Sequence, residues 1–141
     1  MSNKKNIHMK KLILCLLSAT ALAVSLNGTE ALFADGRTPW RISLGKHAAA
    51  PERFAACELQ DALKRISDGA ELPIAEQEGG AAVIQIGTPE SNPAIARANG
   101  VLKLDPQSGD DQIAIFTLDG QLLLAGNRPG PALQAVYAFL R

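Results

Sequence analysis

The stretch DQIAIFTLDGQLLLAG (residues 111–126) holds two apolar runs separated by the dipeptide Asp119-Gly120. That dipeptide suits the tight hairpin turn whose two central residues both take positive φ. The stretch therefore predicts two strands joined head to tail, so a β-sheet forms part of the core. Working outward, AAVIQIGT (residues 81–88) follows Gly79-Gly80 and predicts a buried strand through Val83, Ile84 and Ile86. WRISLG alternates Trp40, Ile42 and Leu44 with polar neighbours, the period-two signal of another strand. LPIAE, with Pro73 near its start, reads as a short edge strand, and VLKLD as a weak one.

Two longer segments carry helical spacing instead. In ERFAACELQDALKRIS (residues 52–67), Ala55, Leu59, Ala62, Leu63 and Ile66 recur on one face. Glu52, Glu58, Asp61, Lys64 and Arg65 are expected on the solvated face. Pro51 suits the first turn, and Gly69 suits the left-handed residue that ends many helices. Burial of Leu59, Leu63 and Ile66 is expected to contribute about 1.5–3 kcal/mol each. A short helix is expected from Pro93 to Ala98. The last helix opens at Pro131, with Leu133, Val136, Tyr137 and Leu140 as one apolar stripe. Ala132, Ala135 and Phe139 widen that stripe to roughly half the circumference, more than one sheet face covers. Phe139 is expected on an uncovered flank; the alternative is a helix tucked fully between the sheet and the first helix. The order is strand, helix, two strands, short helix, three strands, helix. This is a single α+β domain, a mixed β-sheet of about five or six strands with the two main helices packed on one face.

Composition narrows the class. The chain has 141 residues, and its 14 basic residues balance 14 acidic ones, which leaves no basic footprint for nucleic acid. Hydrophobic residues make up 47% and aromatics 4%, so the core is aliphatic. The start, MSNKKNIHMKK, is basic, and the uncharged run Leu12–Leu26 follows with small residues after it. That is the signature of a secretory signal peptide. The run is 15 residues, short of the roughly 20 that span a bilayer. Residues 1–34 are therefore expected to be a leader and residues 35–141 the mature domain, periplasmic or extracellular and free of the membrane after cleavage. Ala23, Ala31 and Ala34 are candidate cleavage points, with Ala34 favoured. The mature part holds one cysteine, Cys57, so no internal disulfide staples it. Cys57 reads as a small hydrophobe in a helix.

The search for chemistry is mostly negative. His47 is the mature part's only histidine, and no metal-ligand spacing accompanies it. No nucleophile elbow and no phosphate-binding glycine loop is present; GNRPG has no lysine in place. Asp110 and Asp111 are adjacent, and a strand would send them to opposite sides. Trp40 has the face to stack on a sugar ring, but packing at the core or an edge is the more ordinary role. No catalytic, cofactor-binding or metal residue is assigned.

The segments FAACELQDALKRISDGAELPI, AAVIQIGTPESNPAI and LLLAGNRPGPALQAVYAFLR, in that order, resemble the non-catalytic N-terminal domain of secreted glycoside hydrolases. The pattern is similar to the domain before the catalytic barrel of α-glucuronidases, and to its counterpart in β-N-acetylhexosaminidases. It covers Trp40 to Arg141. The chain departs from the pattern where Gly130 and Pro131 replace an Arg-Gly pair, with Arg128 displaced. Gln134 and Ala138 replace a tyrosine and an acidic residue. The resemblance implies an accessory domain in polysaccharide breakdown, whose carboxylate pair belongs to a barrel expected after Arg141 in the intact parent. The chain is then expected to be a truncated or partial hydrolase, inactive alone, with no cofactor. Phe139, Tyr137 and Leu140 would face the missing C-terminal catalytic barrel. The alternative is a self-standing exported module that binds carbohydrate or protein, and a weaker one is a homodimer through the terminal helices.

Overall fold

The computed structural model describes residues 31–76 and 79–141, so the expected leader lies outside the described residues except for positions 31–34. Among the described residues, five strands and three helices follow in the order β1 (Arg41–Leu44), α1 (Ala50–Ile66), β2 (Ile74–Ala75), β3 (Val83–Gly87), α2 (Pro93–Leu102), β4 (Ile113–Leu118), β5 (Gln121–Gly126) and α3 (Pro129–Phe139). They form one mixed sheet in the order β2-β1-β3-β5-β4. Only β4 runs antiparallel, paired with β5 from Ile113↔Gly126 to Leu118↔Gln121. Asp119 and Gly120 take φ of 51° and 74°, as the hairpin reading requires.

Register builds the core. Ile42, Ile84 and Leu122 lie side by side across β1, β3 and β5, and Leu44, Ile86 and Leu124 form the next row. On this face Ala55, Ala56, Leu59 and Leu63 of α1 pack with Ala135 and Val136 of α3. The two main helices therefore share one side, as expected. The short helix α2 does not join them. Its Ile95 packs with Leu104 and Ala125 in a separate cluster, because position 125 alternates with Leu124 to the opposite side of the sheet. That alternation sets α2 apart from the two main helices.

Three local readings change. VLKLD is not a strand: Val101 and Leu102 extend α2, and Lys103 ends it in the left-handed region at φ 60°. The Asn99 side chain then binds both the N–H and the C=O of Leu104, at 2.9 Å each, which turns the chain out of the helix. Five strands result among the described residues, and VLKLD, the first strand of the expected final trio, is absent. Ile66, the last residue of α1, is 70% exposed. Glu52, expected in solvent, is fully buried.

Leu32 and Phe33 pack against the main core, and the compact unit begins at Leu32. A cut after Ala34 would remove both side chains, whereas a cut after Ala31 keeps them. Among the described residues, no helix is long and apolar enough to cross a membrane.

Candidate functional site at the switch between strands

β1 leads through α1 to β2 on its one side, while β3 leads through α2 and the hairpin to β5 on its other. The two connections leave over opposite faces. The gap beyond the C-terminal ends of β1 and β3 is thus a topological switch point, where open α/β sheets bind their ligands.

In this chain the gap is filled by the turn Thr88–Asn92. Gly45, just past β1, is buried against it: a Cβ there would overlap the Ser91 carbonyl oxygen and lie 2.6 Å from its carbon. Gly87 ends β3 at φ 148°, and a Cβ on it would sit 3.0 Å from Glu52 Oε1. Both glycines are needed because backbone and carboxylate come this close.

The turn is held by polar contacts. Glu52 is the third residue of α1, and its Oε2 accepts the Ala49 N–H across the helix start. Ala49 has no side-chain acceptor, so this is one half of a capping box. Oε1 accepts the Ser91 hydroxyl. Ser91 Oγ accepts in turn from the Thr88 N–H and the Thr88 hydroxyl, each at 3.0 Å, and the Ser91 N–H returns to Thr88 Oγ1 at 3.1 Å. Asn92 caps α2 through Oδ1 to the Ala94 N–H, while its Nδ2 donates to Gln85 Oε1 and to the Ile86 carbonyl. Gln85 Nε2 continues the line to Gln121 Oε1 at 3.0 Å. A buried carboxylate without such donors would be costly; here two donors and a helix N-terminus compensate it.

What stays open lies beside the turn. Two cavities of about 240 and 350 Å³ share Leu44, Gly45, Lys46 and Glu76, and Arg53 lines the larger. The Arg53 guanidinium donates to the Ala48 carbonyl. Neither cavity has a second free carboxylate in its lining, as acid–base cleavage of a glycoside requires. Among the described residues no three metal-ligating side chains converge.

The residues singled out from sequence are dispersed. Phe139 and Leu140 are half-buried and pack on the main core. Tyr137 is 39% exposed, its hydroxyl 3.5 Å from Glu58 Oε2 on α1. The phenol pKa is raised above its ordinary value by partial desolvation first and by the Glu58 carboxylate second. The buried side of α3 is thus Pro131, Ala132, Ala135 and Val136, with Phe139 in line with it and Tyr137 turned outward. Trp40 packs at the edge of the main core. His47 is exposed, and Cys57 sits in α1 as expected but on its outer side. Asp110 and Asp111 precede β4; Asp111 pairs with Arg128 at 2.6 Å. The Glu52–Ser91 contact was missed because helical periodicity scores polarity and not capping. The spacing of Glu52 three residues after Ala49, with Pro51 between, was the available signal. No family model matches the chain, and no curated protein matches it.

Proposed function

We propose that this is a non-catalytic accessory domain of a secreted glycoside hydrolase, of the kind that precedes the barrel of α-glucuronidases. The observation that carries the reading is the closed switch point. Where a sheet of this order would hold a ligand, the turn Thr88–Asn92 and the Glu52 carboxylate occupy the space. The segments behind the resemblance also do structural work. Leu59 of the ELQ segment is in the core, and Gln60 Nε2 holds the Leu72 carbonyl at 2.6 Å. Gly87 of the IQIG strand accommodates Glu52. Tyr137 and the partly exposed Leu140, with Phe54 exposed on α1, offer an outer apolar surface for a barrel, while Phe139 packs partly buried on the core. Export through a cleavable leader belongs to the same proposal.

The DNA beyond the Arg141 codon tests this reading. A barrel with a carboxylate pair, encoded in any frame, is the expected result; an unrelated gene there removes the reading. On aryl glucuronides and aryl N-acetylglucosaminides the purified chain is expected to show no turnover. Reproducible hydrolysis would contradict it. The 350 Å³ cavity beside Lys46 and Arg53 favours the second reading, an exported carbohydrate-binding module. Retention of the chain on xylan or chitin would select that reading.

A further inference from the structure

The two edges of the sheet are built differently. β2 is only two residues long and follows Pro73, so it offers little to an incoming strand. β4 is six residues, Ile113–Leu118, and closes the opposite edge. It carries no charge, no proline and no bulge, for its register with β5 is unbroken. Ile113, Ile115 and Phe116 are 46%, 43% and 41% exposed.

The hydrogen-bond phase of β4 follows from one contact. The Asn127 N–H donates to the Gln112 carbonyl at 3.1 Å, and these two residues stand opposite each other in the register. Residues 112, 114, 116 and 118 therefore bond inward to β5. Ile113, Ile115 and Thr117 turn their N–H and C=O groups to the free edge.

We propose that this edge is a dimer interface, with β4 paired antiparallel to β4 of a second copy about a two-fold axis at Phe116. In that register Ile115 faces Thr117 of the second copy, and the two strands exchange about four backbone hydrogen bonds. Phe116 meets its own counterpart in a non-hydrogen-bonded pair, where side chains come closest and aromatic pairs are favourable. Charge selects this register over its neighbour. A two-fold at Ile115 would set Asp111 against Asp119 of the other copy, a like-charge opposition. The Phe116 axis sets Asp111 opposite Gln121 and Asp119 opposite Ile113. A second copy is the fitting occupant because the uncharged six-residue strand is self-complementary in this register. The area is smaller than a standard interface of roughly 1,200–2,000 Å², so the dimer is weak, with a Kd on the order of 0.1 mM. This inference stands on the sheet edge and does not depend on the proposed accessory role.

Sedimentation velocity from about 10 µM to about 1 mM is expected to show reversible dimerisation. Thr117→Pro deletes one outward N–H and no β5 bond, and is expected to weaken the dimer at least about tenfold while circular dichroism is unchanged. Should that variant not fold, Ile115→Lys serves the same purpose by placing a charge at the edge. In a Cys57→Ser background, Phe116→Cys is expected to form a disulfide dimer readily, since paired Cα atoms there lie about 4.5 Å apart. Ile115→Cys in the same background is expected to cross-link far more slowly. A monomer at every concentration, or cross-linking no faster from position 116 than from 115, overturns the proposal.

Discussion

Gly45→Ala probes the seat of the turn Thr88–Asn92 with a single methyl group. The added Cβ overlaps the Ser91 carbonyl oxygen, lies 2.6 Å from the Ser91 carbonyl carbon and 3.0 Å from Asn92 Cα. Carbon atoms in contact prefer about 3.5–4.0 Å, so the turn has to retreat by roughly 1 Å. These neighbours are backbone atoms, and no flexible side chain can yield in their place. A shift of that size breaks the Ser91–Glu52 hydrogen bond and loosens both Asn92 Nδ2 bonds. A hydrogen bond to a charged group contributes about 1.5–3 kcal/mol and a neutral one about 0.5–1.5. The expected loss is therefore about 3–5 kcal/mol, a large share of the 5–15 typical of a domain. Thermal denaturation followed by far-ultraviolet circular dichroism should show a fall of roughly 15–30 °C in Tm. A Gly45→Ala variant within about 1 kcal/mol of the parent would refute the seat.

Gly100→Ala, in α2 with nothing near its added Cβ, should by contrast raise stability by about 0.5–1 kcal/mol in urea denaturation. Leu63→Asp removes a 4% exposed core side chain and buries a carboxylate, and should abolish the cooperative thermal transition. Ile66→Asp, three residues on and 70% exposed, should change stability by no more than about 0.5 kcal/mol in the same assay. Ultraviolet titration should find Tyr137 ionising above the ordinary tyrosine value, and Glu58→Gln should lower that midpoint. Because the folded-state pKa is the higher one, the unfolded chain loses its proton first. The neutral phenol's contribution is then present below about pH 10 and lost as pH rises through the folded value.

Much of the architecture was legible in the sequence because it rests on short-range rules. Asp119-Gly120 announces its turn, and the apolar runs on either side announce the strands. Pro51, Pro93 and the 3.6-residue spacing around Leu59 and Leu63 announce helices. The misreadings share one cause: each depended on a contact or a degree of burial that hydrophobic periodicity does not score. Leu104 looks like part of a strand until Asn99 captures both of its backbone groups. Ile66 continues the apolar stripe of α1, yet at the helix's last residue it is 70% exposed while Leu63 one turn earlier is buried. Phe139 and Tyr137 exchange their expected surroundings because α3 leans on the core through its Ala132, Ala135 and Val136 side. The candidate site was the least legible part. Glu52 looks like any solvated helix carboxylate until Ser91, 39 residues later, donates its hydroxyl to it.

The most direct test of that closure is a double-mutant cycle of Glu52→Gln and Ser91→Ala, read by urea denaturation. A clasp that holds the turn over Gly45 predicts a coupling energy of about 1.5–3 kcal/mol between the two positions. Additive effects, with coupling inside about 0.5 kcal/mol, would mean that the carboxylate does not hold the switch point shut.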